Sequence, residues 1–149
     1  MSLEKIINDD IKTAMRAKDK KTLEALRAVK AAILLEKTGK GASGEMAEDA
    51  EMKILQKLVK QRKESSELYK AQGRADLAVD EDFQYSVISK YLPEQMDEGE
   101  IREIISGIIS KTNASSMKDM GKVMGMASKQ LAGKADNKLI STIVKELLG

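Results

Sequence analysis

The chain has 149 residues, with 26 Lys and Arg against 24 Asp and Glu, a formal net charge of +2. Cysteine and histidine are both absent, which excludes a disulfide framework and the usual zinc ligands and removes the side chain that most readily exchanges protons near pH 7. The length suits one domain or two small ones, and a near-neutral balance means that any electrostatic argument must be local. Aromatic residues make up 3% and proline occurs once, while Ala, Leu, Ile, Met, Lys and Glu dominate, so an all-α fold is expected. The opening MSLEKIINDDI has no apolar signal core, and nowhere do 18 apolar residues run together. A soluble, cytoplasmic protein with no membrane partner is the expectation.

In chain order, Ser2 is placed to cap a first helix whose apolar face is Leu3, Ile6, Ile7, Ile11, Ala14 and Met15. Arg16 to Lys21 is a short polar turn, and Asp19 is placed to cap a second helix running to about Thr38. Arg27 and Lys30 lie close to that helix's apolar arc. They read either as snorkelling stems or as a contact surface for an acidic partner. Gly39 to Glu45 is a flexible loop that lacks both the spacing and the preceding strand of a phosphate loop.

A long helix is expected from about Ala47 to Gln72, with Gly73 just past its end. Arg62 shares its apolar line with Leu55 and Leu58 and needs a carboxylate if buried; Asp76 and Glu81 are the natural partners, a structural ion pair between helices. The next helix spans roughly Ala75 to Tyr91 and is stopped by Pro93. The carboxylates Glu45, Glu48, Asp49 and Glu51, and Asp80, Glu81 and Asp82, read as solvated loops and helix starts. Tyr91-Leu92-Pro93-Glu94 is the best boundary, giving a helical domain of about four helices over 1–93 and a three-helix domain over 94–149.

In the second part, Asp97 and Glu100 have capping-box spacing before the stripe Ile101, Ile104, Ile105, Ile108 and Ile109. Ser116 with Asp119 is expected to start a helix that Gly133 ends, and Asp136 to cap a last helix carrying Leu139, Ile140, Ile143, Val144, Leu147 and Leu148. The middle helix is the most informative stretch. Met117, Met120, Met124, Ala127 and Leu131 share an apolar stripe, while Lys118, Lys122 and Lys129 lie opposite, with Gly125 among them and Gly121 at the margin. Two helical glycines cost roughly 1 kcal/mol each relative to alanine. Either a neighbouring helix or a nucleic-acid phosphate must approach this surface closely.

The run Lys60-Gln61-Arg62-Lys63-Glu64-Ser65, then Tyr69, Gly73-Arg74-Ala75-Asp76-Leu77 and Glu81, resembles the first half of the YqeY family's signature. Tyr91-Leu92-Pro93-Glu94-Gln95, Asp119-Met120-Gly121-Lys122-Val123-Met124-Gly125 and Gly133-Lys134-Ala135-Asp136 match its hinge and second half, so the resemblance covers essentially the whole chain. It implies an all-helical, two-lobed fold. It also implies kinship with the tail domain of the B subunit of the glutamine-dependent aspartyl/glutamyl-tRNA amidotransferase, a tRNA-contacting accessory that stands apart from the transfer chemistry. Any carbon–nitrogen ligase role would then be as accessory to a tRNA-dependent enzyme.

Three functions are weighed. For a tRNA- or structured-RNA-binding module, Ser116 to Gly149 carries six lysines against Asp119, Asp136 and Glu146, a local +3. Lys118, Lys122, Lys129, Lys134 and Lys138 are the candidate phosphate contacts, and Gly121 and Gly125 would permit close approach. Gly133-Lys134-Ala135-Asp136 places a helix start, with free N–H groups, beside Lys134 and Lys138. The region has no aromatic residue, so the RNA would be held by shape and phosphate rather than by base stacking. The alternative is a protein-interaction adaptor, since nine methionines are many and Met117, Met120, Met124 and Met126 cluster. Independent catalysis finds no acid–base or nucleophile constellation, no metal set and no cofactor motif.

Overall fold

The computed structural model describes residues 2–39 and 46–149. Of the loop expected from Gly39 to Glu45, Gly39 is the last residue of α2 and 40–45 lies outside the described residues. Every regular element among them is helical: α1 (Leu3–Arg16), α2 (Lys20–Gly39), α3 (Glu48–Ala71), α4 (Ala75–Ser89), α5 (Glu98–Thr112), a 3₁₀ turn (Met117–Asp119), α6 (Met120–Gln130) and α7 (Asn137–Leu148). The chain is all-α. It divides into two compact units, Met1–Leu92 and Pro93–Gly149.

The first unit is built from two helical hairpins, α1 with α2 and α3 with α4, and α2 packs on both helices of the second. Its core centres on the fully buried Ile7, Leu26, Val29, Ile33, Leu55 and Ile88. Local chemistry sets the ends. Ser2 accepts the Lys5 N–H at 3.3 Å and so caps α1. Asp19 accepts both the N–H (3.2 Å) and the hydroxyl (2.7 Å) of Thr22 at the start of α2. These bonds hold its carboxyl below the usual 3.8. Gly73 adopts φ +72 after α3, a left-handed turn that glycine takes without strain.

Buried polar groups in this unit differ from the sequence expectation. Glu51 is not a solvated helix start: it is buried, and its carboxylate accepts the Leu3 N–H at 2.7 Å. An anion is thereby held at the positive end of α1, tying α3 to α1 across 48 residues of sequence. Asp82 likewise is engaged, accepting the hydroxyl of buried Ser66 and pairing with Lys70 at 3.3 Å. Arg62 does not form the expected ion pair. Its Nε donates to Gln84 Oε1 at 3.1 Å, a neutral partner on α4 that suits its half-buried position. Asp76 is taken by Arg74 through two hydrogen bonds of 3.1 Å, and Glu81 lies half-buried on α4. An arginine two residues away reaches Asp76 at little entropic cost. Tyr91, after α4, donates to Asp10 on α1.

The second unit closes around Ile101 and Ile105 of α5, Val123 and Ala127 of α6, Leu131, and Ile140 and Ile143 of α7, all fully buried. Asp97 accepts the Glu100 N–H at 2.8 Å and caps α5. The hydrogen bond with Asp97, and then its charge, push the Glu100 carboxyl above its ordinary 4.5. Asn113 ends α5 in a left-handed conformation, φ 54, which asparagine tolerates better than most residues.

Candidate nucleic-acid interface

Ser116 accepts the Lys118 N–H at 3.3 Å, and Asp119 reaches back to accept the Ser115 N–H at 3.0 Å. Together these wind Met117–Asp119 as a 3₁₀ turn ahead of α6, rather than as its first α turn. The tighter winding changes the register at that point. Met117 leaves the apolar stripe and is exposed, Met120 and Met124 are half-buried, and Val123 takes a central place in the core beside Ala127 and Leu131. Four of the five residues expected on the stripe, Met120, Met124, Ala127 and Leu131, thus face the core, Val123 joins them, and Met117 does not. α6 also ends earlier than expected, at Gln130.

Opposite that stripe the surface is open. Lys118, Gly121, Lys122, Gly125 and Lys129 are all exposed, as is Met126 on the flank. A β-carbon added at Gly121 or at Gly125 would meet no neighbouring atom within 4 Å. Within the second unit, no helix among the described residues supplies the neighbouring-helix explanation for these glycines. Lys118 to Lys129 spans ~16 Å along the axis, with the two glycines between, so cations flank a strip of bare backbone.

Lys134 and Lys138 have a different setting. Gly133 takes φ +75, and the Lys134 carbonyl accepts the Met96 N–H at 2.9 Å. Gln95 donates its side-chain amide to the Gly133 carbonyl at 2.6 Å and to the Pro93 carbonyl at 3.0 Å. The segment after Pro93 is thus strapped to the α6–α7 turn, which gives Gly133-Lys134-Ala135-Asp136 a structural task. The expected cradle of free N–H groups at α7 is partly filled, because Asp136 accepts the Lys138 N–H at 3.2 Å. The Lys134 side chain is half-buried and that of Lys138 exposed.

Elsewhere the first unit holds a cavity of ≈ 30 Å³ lined by Ser2, Glu4, Ile33, Lys37, Met46 and Glu51, where Lys37 pairs with Glu4. That is room for about one water. Among the described residues no cluster of three metal-ligating side chains occurs, no buried side-chain polar atom is left without a partner, and no helix is long and apolar enough to cross a membrane. Sequence reasoning missed Glu51, Ser66 and Val123. Glu51 sits four residues before Leu55, on the same helical line, which was the available signal.

The chain is 29% identical over 143 residues to "Altered inheritance of mitochondria protein 41, mitochondrial" of Pyrenophora tritici-repentis, an alignment covering 94% of this chain and 77% of that protein. A family model described as Yqey-like protein matches residues 4–148, and with that match spanning nearly every helix of both units, the chain belongs to the YqeY-like family.

Proposed function

We propose that this protein is a cytoplasmic, non-catalytic module that binds tRNA or another structured RNA through the exposed face of α6. The observation that carries the reading is the open strip at Gly121 and Gly125, flanked by exposed Lys118, Lys122 and Lys129. Helical glycines that face open space lower helix stability and contribute no internal packing, so an external contact is their best physical account. Lysines on both sides favour an anionic visitor, and the phosphodiester backbone supplies closely spaced charge. The resemblance to the amidotransferase tail points the same way. Lys134 and Lys138 remain peripheral contacts in this reading, since their turn already serves the fold.

The test is binding of the full chain to total deacylated tRNA at several salt concentrations. Replacing Lys118, Lys122 and Lys129 by alanine should lower the log–log salt slope by about 2.7, at roughly 0.9 per phosphate contact. The circular dichroism spectrum should stay unchanged. An unaltered slope in the folded variant overturns the site. The exposure of Met117 and Met126 beside the glycines favours a second reading, a protein-binding adaptor surface. That reading predicts no tRNA binding even at low salt, and loss of partner capture on replacing Met117 and Met126 by serine.

A further inference from the structure

We propose that the turn joining α1 and α2 is a second polyanion-binding surface, one that takes the phosphodiester backbone of structured RNA independently of α6. Between Lys12 and Lys21 the chain carries Lys12, Arg16, Lys18, Lys20 and Lys21 against Asp19 alone, a local +4 within ten residues. This is denser positive charge than the C-terminal segment offers. All five cations are exposed, and among the described residues none of the five forms an ion pair.

Four cations elsewhere in the molecule are neutralised locally: Lys37 by Glu4, Lys70 by Asp82, Arg74 by Asp76, and Arg102 by both Glu98 and Glu146. Asp19 does not do this for its neighbours. Both of its oxygens are occupied by Thr22 at the start of α2. Lys18 adds a second observation. It stands at φ +57 just past the end of α1, the left-handed position that glycine usually fills. Its N–H closes the turn onto the Met15 carbonyl at 3.1 Å, and the Asp19 N–H onto the Ala14 carbonyl at 3.0 Å. A long cationic side chain is therefore held at a site where the backbone favours none. Lys21 is steadied by the Phe83 ring, 6.0 Å from its ammonium.

The occupant follows from what the turn lacks. The apolar stripes of both helices are spent inside the unit, Leu3, Ile7 and Ala14 from α1 and Ala25, Leu26 and Val29 from α2. Met15 is the exposed apolar side chain left beside the cations. A lipid surface would draw its binding from buried apolar area as well as charge, and one methionine supplies little. Regularly spaced phosphates ask only for the cations.

The experiment measures binding of the full chain to total deacylated tRNA at 50 and 200 mM salt, with three variants beside the natural sequence. In R16Q/K18Q/K20Q, three lost contacts at roughly 0.9 each should shrink the affinity change over this fourfold salt range by about 40-fold. K53Q/K57Q/K63Q removes the same charge from exposed positions of α3 and should shrink it far less. An unchanged salt response in R16Q/K18Q/K20Q with intact helical dichroism overturns the proposal. So does an equal effect in K53Q/K57Q/K63Q, which would mean diffuse charge rather than a surface. Phosphatidylserine vesicles form the lipid arm: loss of vesicle binding with tRNA binding untouched would also overturn it. The alanine variant of Lys118, Lys122 and Lys129 keeps the two assignments apart, because each surface can fail while the other's variant still alters the slope.

Discussion

The open strip on α6 makes a prediction in which stability and binding move in opposite directions. Replace Gly121 and Gly125 by alanine together. Gly125 lies in the helix interior, where alanine is worth ~1 kcal/mol, while Gly121 is the second residue of α6, where about half of that is expected. Neither new methyl meets an atom within 4 Å, so no packing penalty offsets the gain. The second unit should be stabilised by about 1.5 kcal/mol, roughly a tenfold rise in hydrogen-exchange protection at its core amides, for example those of Ile105 and Val144. The same methyls would hold a phosphate further from the helix. Moving it from about 4 to about 5.5 Å from a lysine ammonium weakens that attraction by roughly 0.3–1.1 kcal/mol for effective dielectrics between 80 and 20. Over Lys122 and Lys129 the loss is about 1 kcal/mol, close to fivefold in tRNA affinity. Increased protection with unchanged affinity would refute the idea that the glycines admit a phosphate. Decreased protection would refute the open-face geometry itself.

Two further outcomes follow from buried and coupled carboxylates. Glu51→Ala removes a charged acceptor from the Leu3 N–H at the start of α1 and should cost the first unit about 2 kcal/mol. Glu51→Gln, which keeps an acceptor oxygen, should cost less than half of that by urea unfolding, and equal losses would show that the bond is not what matters. The pH dependence should have opposite signs in the two units. The Ser66 hydroxyl, and then Lys70, hold the Asp82 carboxyl below its ordinary 3.8, so its contribution is present above that value and fades as the pH falls through the lowered one. Glu100 is raised above 4.5, so its contribution is complete below that value and is lost as the pH rises through the raised one. Urea titrations from about pH 3 to 7 should therefore show Asp82→Asn flattening the acid limb of the first unit. Glu100→Gln should remove the opposing slope from the second, and no change in either variant would contradict the assigned couplings.

The helices were legible because their signals are local. Ser2, Asp97 and Asp136 cap helices in the structure as their spacing implied, and Gly73 takes the left-handed turn expected of a glycine just past a helix end, whereas α6 stops at Gln130, short of Gly133. What periodicity could not give was the choice of polar partner between distant segments. Glu51 with Leu3, Ser66 with Asp82, Arg62 with Gln84 and Gln95 with Gly133 join residues that no helical repeat relates. On α6 periodicity placed Met120, Met124, Ala127 and Leu131 on the core side but missed Val123, and Met117 leaves the stripe because a side-chain bond at Ser116 selects a 3₁₀ turn, whose different pitch rotates what precedes α6.

Gly133-Lys134-Ala135-Asp136 shows how the same residues read differently in one dimension and in three. A glycine, a lysine and a helix start in succession look like a place for phosphate. Yet the residue that starts the helix is an aspartate, and its carboxylate already accepts the Lys138 N–H. A helix start with its own capping carboxylate is an anion site that is in part occupied, and an incoming phosphate would have to face that charge. α6 has no such conflict at its glycines, where the backbone is bare and the nearby side chains are cationic. The distinction was present in the sequence, in the sign of the residue at the cap. It is the reason the RNA reading rests on Lys118, Lys122 and Lys129 more than on Lys134 and Lys138.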